Sequence, residues 1–315
     1  MTGFSNTFGL AMRNFTTWPE LPDPEALLAY AARAEALGFD ALWVWDHIFL
    51  GVDPPFPVLD ALILLTAVAA RTTRIKLGTG VLVLPLRNPV VLAKELSTLD
   101  AIAPGRLLLG MASGWYKREF DAVGVPYNRR GRIMDQSLDI LRRLWTEDRV
   151  AAGEYGPYRL AGNNMMPKPA RLPTILIGGY VERVLQRAGR NGGWLTYFYT
   201  PDSFARSWAK VQGYAAEAGR DPAGLVNANQ LPIYVGASRA AVEAEMLDWL
   251  GKEWDYASWS ESTKDAAVMG SVEDCVAQLK AQLAAGVQQL IFIPYKYRPD
   301  QVELIAREII PRLRG

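Results

Sequence analysis

Short apolar segments alternate with longer amphipathic segments along almost the whole chain. Eight of the short segments have the length and composition of β-strands. These predicted strands are Thr7–Arg13, Ala41–His47, Lys76–Val83, Leu107–Ser113, Thr174–Gly179, Trp194–Tyr199, Leu231–Gly236 and Gln289–Pro294. Between them, apolar residues recur at the helical spacing of about 3.6 residues. The pattern therefore predicts a repeating strand–helix unit.

Several helical segments carry their own start or stop signals. Asp23 precedes a proline and the helix that follows runs to Gly38, and the same design recurs from Asn88 to Gly105. A capping side chain before a first-turn proline and a glycine after the last turn are typical helix boundaries. Residues 130–145 and 271–287 show the same helical period. These segments are predicted to be the helices that connect the strands.

Strands that are apolar on both faces and alternate with helices form a parallel sheet. Eight such units predict a closed (β/α)8 TIM barrel. The alternative, an open doubly wound sheet, is disfavoured because no GxGxxG motif follows the first strand. The 315 residues suffice for one barrel of about 250 residues with insertions. We therefore predict a single barrel domain over residues 1–315.

Two segments fall outside the repeat. Residues 146–173 predict a hairpin and loop, and residues 250–270 predict a polar, aromatic insertion before the last helix–strand unit. Long insertions in compact folds are usually lids, binding loops or interfaces. The second insertion contains Trp254, Tyr256 and Trp259, so a lid over the barrel mouth and a dimer contact are both open interpretations.

Composition and charge exclude several classes of protein. Half of the residues are hydrophobic, and the net charge of +1 comes from scattered rather than clustered basic residues, which disfavours nucleic-acid and membrane partners. One histidine and one cysteine disfavour a structural zinc site and exclude an intrachain disulfide. No signal peptide and no apolar run of about 18 residues is recognisable. We therefore expect a cytoplasmic protein.

The only histidine, His47, ends the second predicted strand, directly after Asp46. In a (β/α)8 barrel the active site lies at the C-terminal ends of the strands. Alternation along the strand puts His47 on one face and Asp46 on the other, unless a bulge turns both inward. A histidine at the mouth beside a carboxylate predicts a proton donor or acceptor. The alternative is a structural histidine that pairs with a helix N-terminus or with Asp46.

Two glycine pairs mark candidate cofactor contacts. Gly78 and Gly80 lie in the third strand, where they predict either a flat surface for a ring or a simple kink into the loop. Gly178 and Gly179 lie between the fifth strand and a helix, where they predict either a phosphate site or a tight turn.

Together these segments resemble the luciferase-like monooxygenase superfamily, and in particular the branch of F-420-dependent oxidoreductases. The most specific stretch is Thr73–Trp145. The motifs that carry the resemblance are Asp46-His47, Gly114-Trp115, Glu119-Phe120, ILIGG, GGWL and MGSVEDCVAQL. The resemblance implies a two-electron oxidoreductase that binds F-420, a deazaflavin, or else FMN, and that forms a homodimer. It also implies a non-proline cis peptide near Gly80-Val81, under the cofactor ring.

The residue patterns and the resemblance together give particular residues expected roles. His47 would donate or accept a proton, and Asp46 would orient it or contact the cofactor. The expected cofactor contacts are Asp46, Gly78, Gly80, Val81, Ser113, Gly178, Gly179, Tyr180 and Val181. The expected walls of the substrate pocket are Trp45, Trp115, Trp254 and Trp259. Arg13, after the first strand, would face either the mouth or a surface carboxylate.

Three functions stay open at this stage. The first is hydride transfer between reduced F-420 and an activated C=C, C=N or C=O bond of a small organic substrate. The second is oxygenation by a reduced-FMN-dependent monooxygenase, and the third is a flavin-binding barrel without catalysis. Some F-420-dependent dehydrogenases carry a glutamate after the fourth strand, where this chain has Trp115. That departure disfavours a sugar-phosphate dehydrogenase.

Overall fold

A computed structural model describes residues 4–253 and 263–315. The strands of the repeating unit in these ranges are β1 (Thr7–Ala11), β2 (Ala41–Val44), β3 (Lys76–Val83), β4 (Leu107–Ala112), β5 (Thr174–Gly178), β6 (Gly193–Tyr197), β7 (Val226–Val235) and β8 (Gln289–Pro294). Neighbouring strands pair in chain order, and β8 pairs with β1. This is the order of a closed (β/α)8 barrel, so the predicted fold class is confirmed.

Helices alternate with these strands. They are α1 (Pro24–Ala36), α2 (Ala61–Arg71), α3 (Pro89–Ile102), α4 (Lys117–Ala122), α5 (Arg130–Thr146), α6 (Glu182–Asn191), α7 (Pro201–Glu217), α8 (Arg239–Glu253), α9 (Thr263–Ala266), α10 (Val272–Ala284), α11 (Pro299–Leu304) and α12 (Ile310–Arg314). Within the described ranges, none of these helices is long and apolar enough to cross a membrane.

The described chain forms two compact units. Unit 1 consists of the described residues up to Arg13, Ala26–Trp43 and the described residues from Ile175 onward. Unit 2 consists of Asn14–Glu25 and Val44–Thr174. Each unit has large, fully buried side chains: Phe8, Trp43, Trp194, Phe204 and Phe292 in unit 1, and Leu65, Ile75, Leu77 and Phe120 in unit 2. The grouping of both units into a single domain stays a prediction.

The predicted helix start at Asn88 acts as expected. The Asn88 side chain accepts hydrogen bonds from the backbone amides of Val90 and Val91, which begins α3. Ser271 and Asp274 form a reciprocal capping box at the start of α10. Such caps satisfy amides that have no partner within the helix.

The second strand is shorter than its sequence predicts. It ends at Val44, because the side chain of Asn14 occupies the next backbone groups. Asn14 Oδ1 accepts from the Trp45 amide at 3.0 Å, and Asn14 Nδ2 donates to the Trp45 carbonyl at 2.8 Å. The residues from Trp45 to His47 therefore form a loop after β2, so the alternation of Asp46 and His47 expected for a regular strand does not apply.

The two segments outside the repeat have local structure of their own. Gly153–Tyr155 and Tyr158–Leu160 form an antiparallel hairpin within residues 146–173. In the segment predicted as an insertion, α8 extends to Glu253, and Val268–Gly270 pairs in parallel with β7. Trp254 and Trp259, two of the expected pocket residues, lie outside the described residues.

Asp60 caps α2 and connects this helix to Arg87. Its Oδ1 accepts from the amides of Leu62 and Ile63 at 2.9 Å each, and its Oδ2 accepts from Arg87 Nη2 at 2.9 Å. Burial raises the pKa of this carboxyl, but the hydrogen bonds and the Arg87 charge outweigh burial and lower the pKa below 3.8.

Replacing Asp60 with alanine is expected to lower the free energy of unfolding by about 1 kcal/mol at neutral pH. The native pKa lies below the unfolded one, so the contribution is present above the unfolded pKa and disappears as pH falls through the native pKa. Urea unfolding of wild type and Asp60→Ala between about pH 7 and about pH 2 measures this. A difference that stays constant on acidification would contradict the assigned role.

Candidate active site

The third strand is irregular near its C-terminal end. Its register with β4 shifts between Thr79 and Leu82, and the Gly80-Val81 peptide is cis. Both features were expected, the first from the two glycines and the second from the family resemblance. Thr79 Oγ1 is fully buried and donates to the Gly110 carbonyl of β4 at 2.8 Å, which fixes the strand just before the bulge.

Asp46 ties the loop after β2 to the end of β3. It is 5% exposed, its Oδ2 accepts from the Val83 amide at 2.9 Å, and its Oδ1 accepts from Arg87 Nη2 at 2.7 Å. Both carboxylate oxygens thus have partners in the chain itself. These contacts hold the loop after β2 against the end of β3. The expected catalytic and cofactor contacts of Asp46 stay predictions.

Arg87 lies between two carboxylates. Its Nη2 donates to Asp46 at 2.7 Å and to Asp60 at 2.9 Å. Burial lowers the pKa of the guanidinium, but the charges and hydrogen bonds of Asp46 and Asp60 outweigh burial and raise this pKa above its usual range. Arg87 therefore stays charged, and its charge is compensated from two sides.

His47 pairs with Glu119, a residue of α4. The distances from Nδ1 to the two carboxylate oxygens are 3.1 and 3.2 Å. Glu119 is 1% exposed, and its Oε1 also accepts from the Ile48 amide at 2.6 Å and, more weakly, from the Phe49 amide at 3.4 Å. A buried carboxylate needs several donors, and this one receives them all from residues 47–49.

The structural alternative for His47 named a helix N-terminus or Asp46 as partner, and the observed partner, Glu119, lies in the first turn of α4. Asp46 is its sequence neighbour, yet the carboxylate at hydrogen-bonding distance is Glu119, 72 residues further along the chain. The sequence signal that could have identified this partner is the Glu119-Phe120 pair of the family motif. Phe120 is fully buried, and it places Glu119 on the inner side of α4.

Trp115 covers one side of the histidine. Its ring meets the His47 ring edge to face, with centroids 6.1 Å apart and an interplanar angle of 80°. Trp115 is 58% exposed, and its carbonyl accepts a hydrogen bond from Tyr127 Oη at 2.9 Å. Trp45, in contrast, packs against Phe15 with centroids 5.5 Å apart.

In unit 1, the turn from β5 to α6 carries the expected phosphate contacts. Gly179 has a φ of 124°, a backbone conformation that residues other than glycine rarely adopt. Val181 is the N-cap of α6, and within this part of the described chain no side chain caps the helix. An uncapped helix N-terminus next to glycine backbone fits a phosphate group. Tyr180 and Val181 are exposed, and the Tyr180 ring lies edge to face with Tyr197.

Arg13 pairs with a carboxylate, which was one of the two expectations, but this carboxylate is not at the surface, because the Glu253 side chain is only 10% exposed. Its Nε and Nη2 donate to the two oxygens of Glu253 at 2.6 and 3.0 Å. This two-point geometry is the strong form of an arginine–carboxylate pair. It connects the end of β1 to the last turn of α8 within unit 1.

A family model described as luciferase-like monooxygenase matches residues 7–289. The chain belongs to the luciferase-like monooxygenase family. An F420-dependent glucose-6-phosphate dehydrogenase of Rhodococcus erythropolis is 30% identical over 93% of this luciferase-like chain and 94% of its own length.

Solved structures share the luciferase-like fold. An F420-dependent secondary alcohol dehydrogenase in complex with an F420-acetone adduct has a TM-score of 0.84 and 20% identity over 98% of this chain and 99% of its own. A type II Baeyer-Villiger monooxygenase from Pseudomonas putida in complex with FMN has a TM-score of 0.79 and 18% identity over 97% and 98% of the two chains. At these identities the likeness concerns the fold alone.

The contact with Glu119 predicts the tautomer of His47. A carboxylate accepts, so the proton of the neutral ring should lie on Nδ1, which leaves Nε2 without a proton. Because His47 is the only histidine, nitrogen-15 NMR of the imidazole reads its tautomer without overlap.

We expect Nδ1–H as the dominant form in the wild type and a reduced fraction of it in Glu119→Gln, whose amide both donates and accepts. Glu154→Gln is the matched control, because the Glu154 side chain is 78% exposed. A wild-type ring with its proton on Nε2 would contradict the assigned contact.

Proposed function

We propose that this luciferase-like protein is an F-420-dependent oxidoreductase that transfers hydride between the reduced deazaflavin and an activated C=C, C=N or C=O bond. The observation that carries the proposal is the His47–Glu119 pair, a single imidazole oriented by a buried carboxylate. The relative from Rhodococcus erythropolis, whose name states F420 dependence, supports the choice of cofactor.

Residues of both units fit a deazaflavin when each is considered by itself. In unit 2, the bulged backbone at Gly80-Val81 offers a surface without a large side chain for a flat ring. In unit 1, Gly179 donates its own amide to the Leu195 carbonyl at 3.1 Å, so the amides that follow it, those of Tyr180 and Val181, would hold a phosphate. When bound, F-420 supplies a carbon centre that exchanges hydride and reacts poorly with dioxygen.

The chain itself must manage one proton and exclude water. His47 Nε2, on the far side of the ring from Glu119, is the atom proposed to exchange a proton with the substrate. Glu119 orients the ring through its contact with Nδ1. Trp115 shields the imidazole from solvent on one side, and Asp46 holds the loop to the end of β3.

A reduced-FMN-dependent monooxygenase is the second candidate. The observation that favours it is the turn from β5 to α6, the expected phosphate site. Tyr180 and Val181 in this turn offer a phosphate backbone amides and no charged side chain that would distinguish the tail of F-420 from that of FMN. FMN ends in this phosphate, whereas F-420 continues into an acidic tail. Arg183 and Arg190 on α6 are exposed and would suit such a tail. A flavin-binding barrel without catalysis is disfavoured, because it needs no oriented imidazole.

Oxygen dependence separates the two catalytic candidates. The purified chain would be given reduced F-420 and a panel of ketones, enones and imines under argon, and reduced FMN with the same panel in air. We expect F-420 oxidation that matches substrate reduction one to one under argon. Products that contain an added oxygen atom, formed only with FMN in air, would support the monooxygenase.

We also propose that the protein acts as a homodimer, which rests on the family resemblance alone. Light scattering should then give twice the chain mass of 34.9 kDa. A mass equal to one chain would exclude the dimer.

A further inference from the structure

We propose that the surface around His47 binds an uncharged, apolar part of the substrate, so that the substrate class is neutral alkyl or aryl compounds rather than carboxylates or phosphates. We call this surface, formed by Ile48, Phe49 and Trp115, the apolar wall. The inference deepens the proposed function, because it assigns the substrate class for the same histidine.

The apolar wall consists of large side chains that lie in solvent. Ile48, Phe49 and Trp115 are 49%, 38% and 58% exposed. Single exposed apolar residues are ordinary, but a group of them at one place is typical of a binding site. All three adjoin His47: two follow it in the chain, and the third contacts its ring.

The apolar wall is held in place by polar contacts behind it. Glu119 accepts from the amides of Ile48 and Phe49, and Tyr127 donates to the Trp115 carbonyl. The backbone of Ile48, Phe49 and Trp115 is therefore fixed before a ligand binds. Such preorganisation lowers the entropic cost of binding.

Two of the cations of unit 2 close in sequence to this surface have partners of their own. Lys117 pairs with Asp121, and Arg130 donates to the Gly114 carbonyl with its guanidinium 3.9 Å from the Tyr127 ring centre. Arg118 is exposed on α4, three residues after Trp115, and is the cation that Arg118→Gln tests as the partner of an anionic substrate. The buried charge of Glu119 behind the wall further disfavours an anion.

A matched pair of ligands tests the proposal. Binding of acetophenone and of its para-carboxylate, 4-acetylbenzoate, would be measured by ligand-observed NMR on the chain with and without F-420. We expect acetophenone to bind at least about tenfold more tightly than the carboxylate. This readout needs no turnover, so it does not depend on hydride transfer.

Variants locate the binding surface. Ile48→Ala and Trp115→Ala should each weaken acetophenone binding about fivefold or more, because each removes apolar contact area. Ile102→Ala is the matched control, since Ile102 on α3 is 51% exposed and should leave binding unchanged. Arg118→Gln should also leave it unchanged.

The outcomes separate this inference from the proposed function. Preferential binding of acetophenone without any turnover of F-420 would support the role of the apolar wall and contradict the proposed reaction. Turnover of F-420 together with equal or tighter binding of 4-acetylbenzoate, lost in Arg118→Gln, would overturn the inference alone. Absence of binding of both ligands, or a change in oligomer mass rather than affinity in Ile48→Ala, would also overturn it.

Discussion

Replacing His47 with alanine is expected to reduce turnover by about 10²-fold or more, while the affinity for the cofactor changes little. The reason is that the imidazole is the only one in the chain, so no second histidine can take over proton exchange. Its ring is set by Glu119 on one side and Trp115 on another, so its loss removes an oriented group rather than a flexible one.

The measurement is steady-state turnover, with cofactor binding followed separately by ring fluorescence. The loss should appear mainly in kcat, because a proton exchanged during the reaction acts after binding. Glu119→Gln should lie between wild type and His47→Ala, since it keeps the imidazole but weakens its orientation. Unchanged turnover of His47→Ala would contradict the proposed proton exchange and would show that His47 has a structural role, which its contact with Glu119 also allows.

Replacing Asp46 with alanine is expected to lower the free energy of unfolding by about 3 kcal/mol. The variant leaves the Val83 amide without its acceptor and removes one of the two carboxylates that compensate Arg87. Removal of one member of a mostly buried ion pair costs more than the pair itself contributes, because the other charge stays behind. Asp60 keeps Arg87 partly compensated, which limits the loss.

Urea unfolding of Asp46→Ala, Arg87→Met and the double variant measures this coupling. We expect the double variant to be less destabilised than the sum of the single variants, since it leaves no uncompensated arginine. Asp148→Ala, at an exposed position of the same unit, is the control and should change stability by less than about 0.5 kcal/mol. Additive effects would show that Asp46 and Arg87 do not act as a pair.

The fold could be predicted from sequence because each strand is a local apolar run between local helix signals. Strand boundaries were less predictable where a distant side chain intervenes. Asn14 occupies the backbone groups of Trp45 and ends β2 after Val44, and no pattern within residues 41–47 carries that information. The helix cap at Asn88 depends on neighbours in sequence, and its prediction is confirmed.

The site was only partly predictable for the same reason. The position of His47 after β2 follows from strand order, but its partner Glu119 comes close only when α4 packs through Phe120. Likewise, the pairing of Asp46 with Arg87 depends on the tertiary fold. The cis peptide at Gly80-Val81 was expected from the family resemblance alone. The two glycines by themselves do not predict it, because they also allow a simple kink in the strand.

Titration of the purified chain with oxidised F-420 and, separately, with FMN tests the proposed function most directly. Ring absorbance and fluorescence would report binding of each cofactor on its own. We expect F-420 to bind at least about tenfold more tightly than FMN, a difference of about 1.4 kcal/mol in binding free energy. Tighter binding of FMN would contradict the proposed F-420 dependence and favour the monooxygenase.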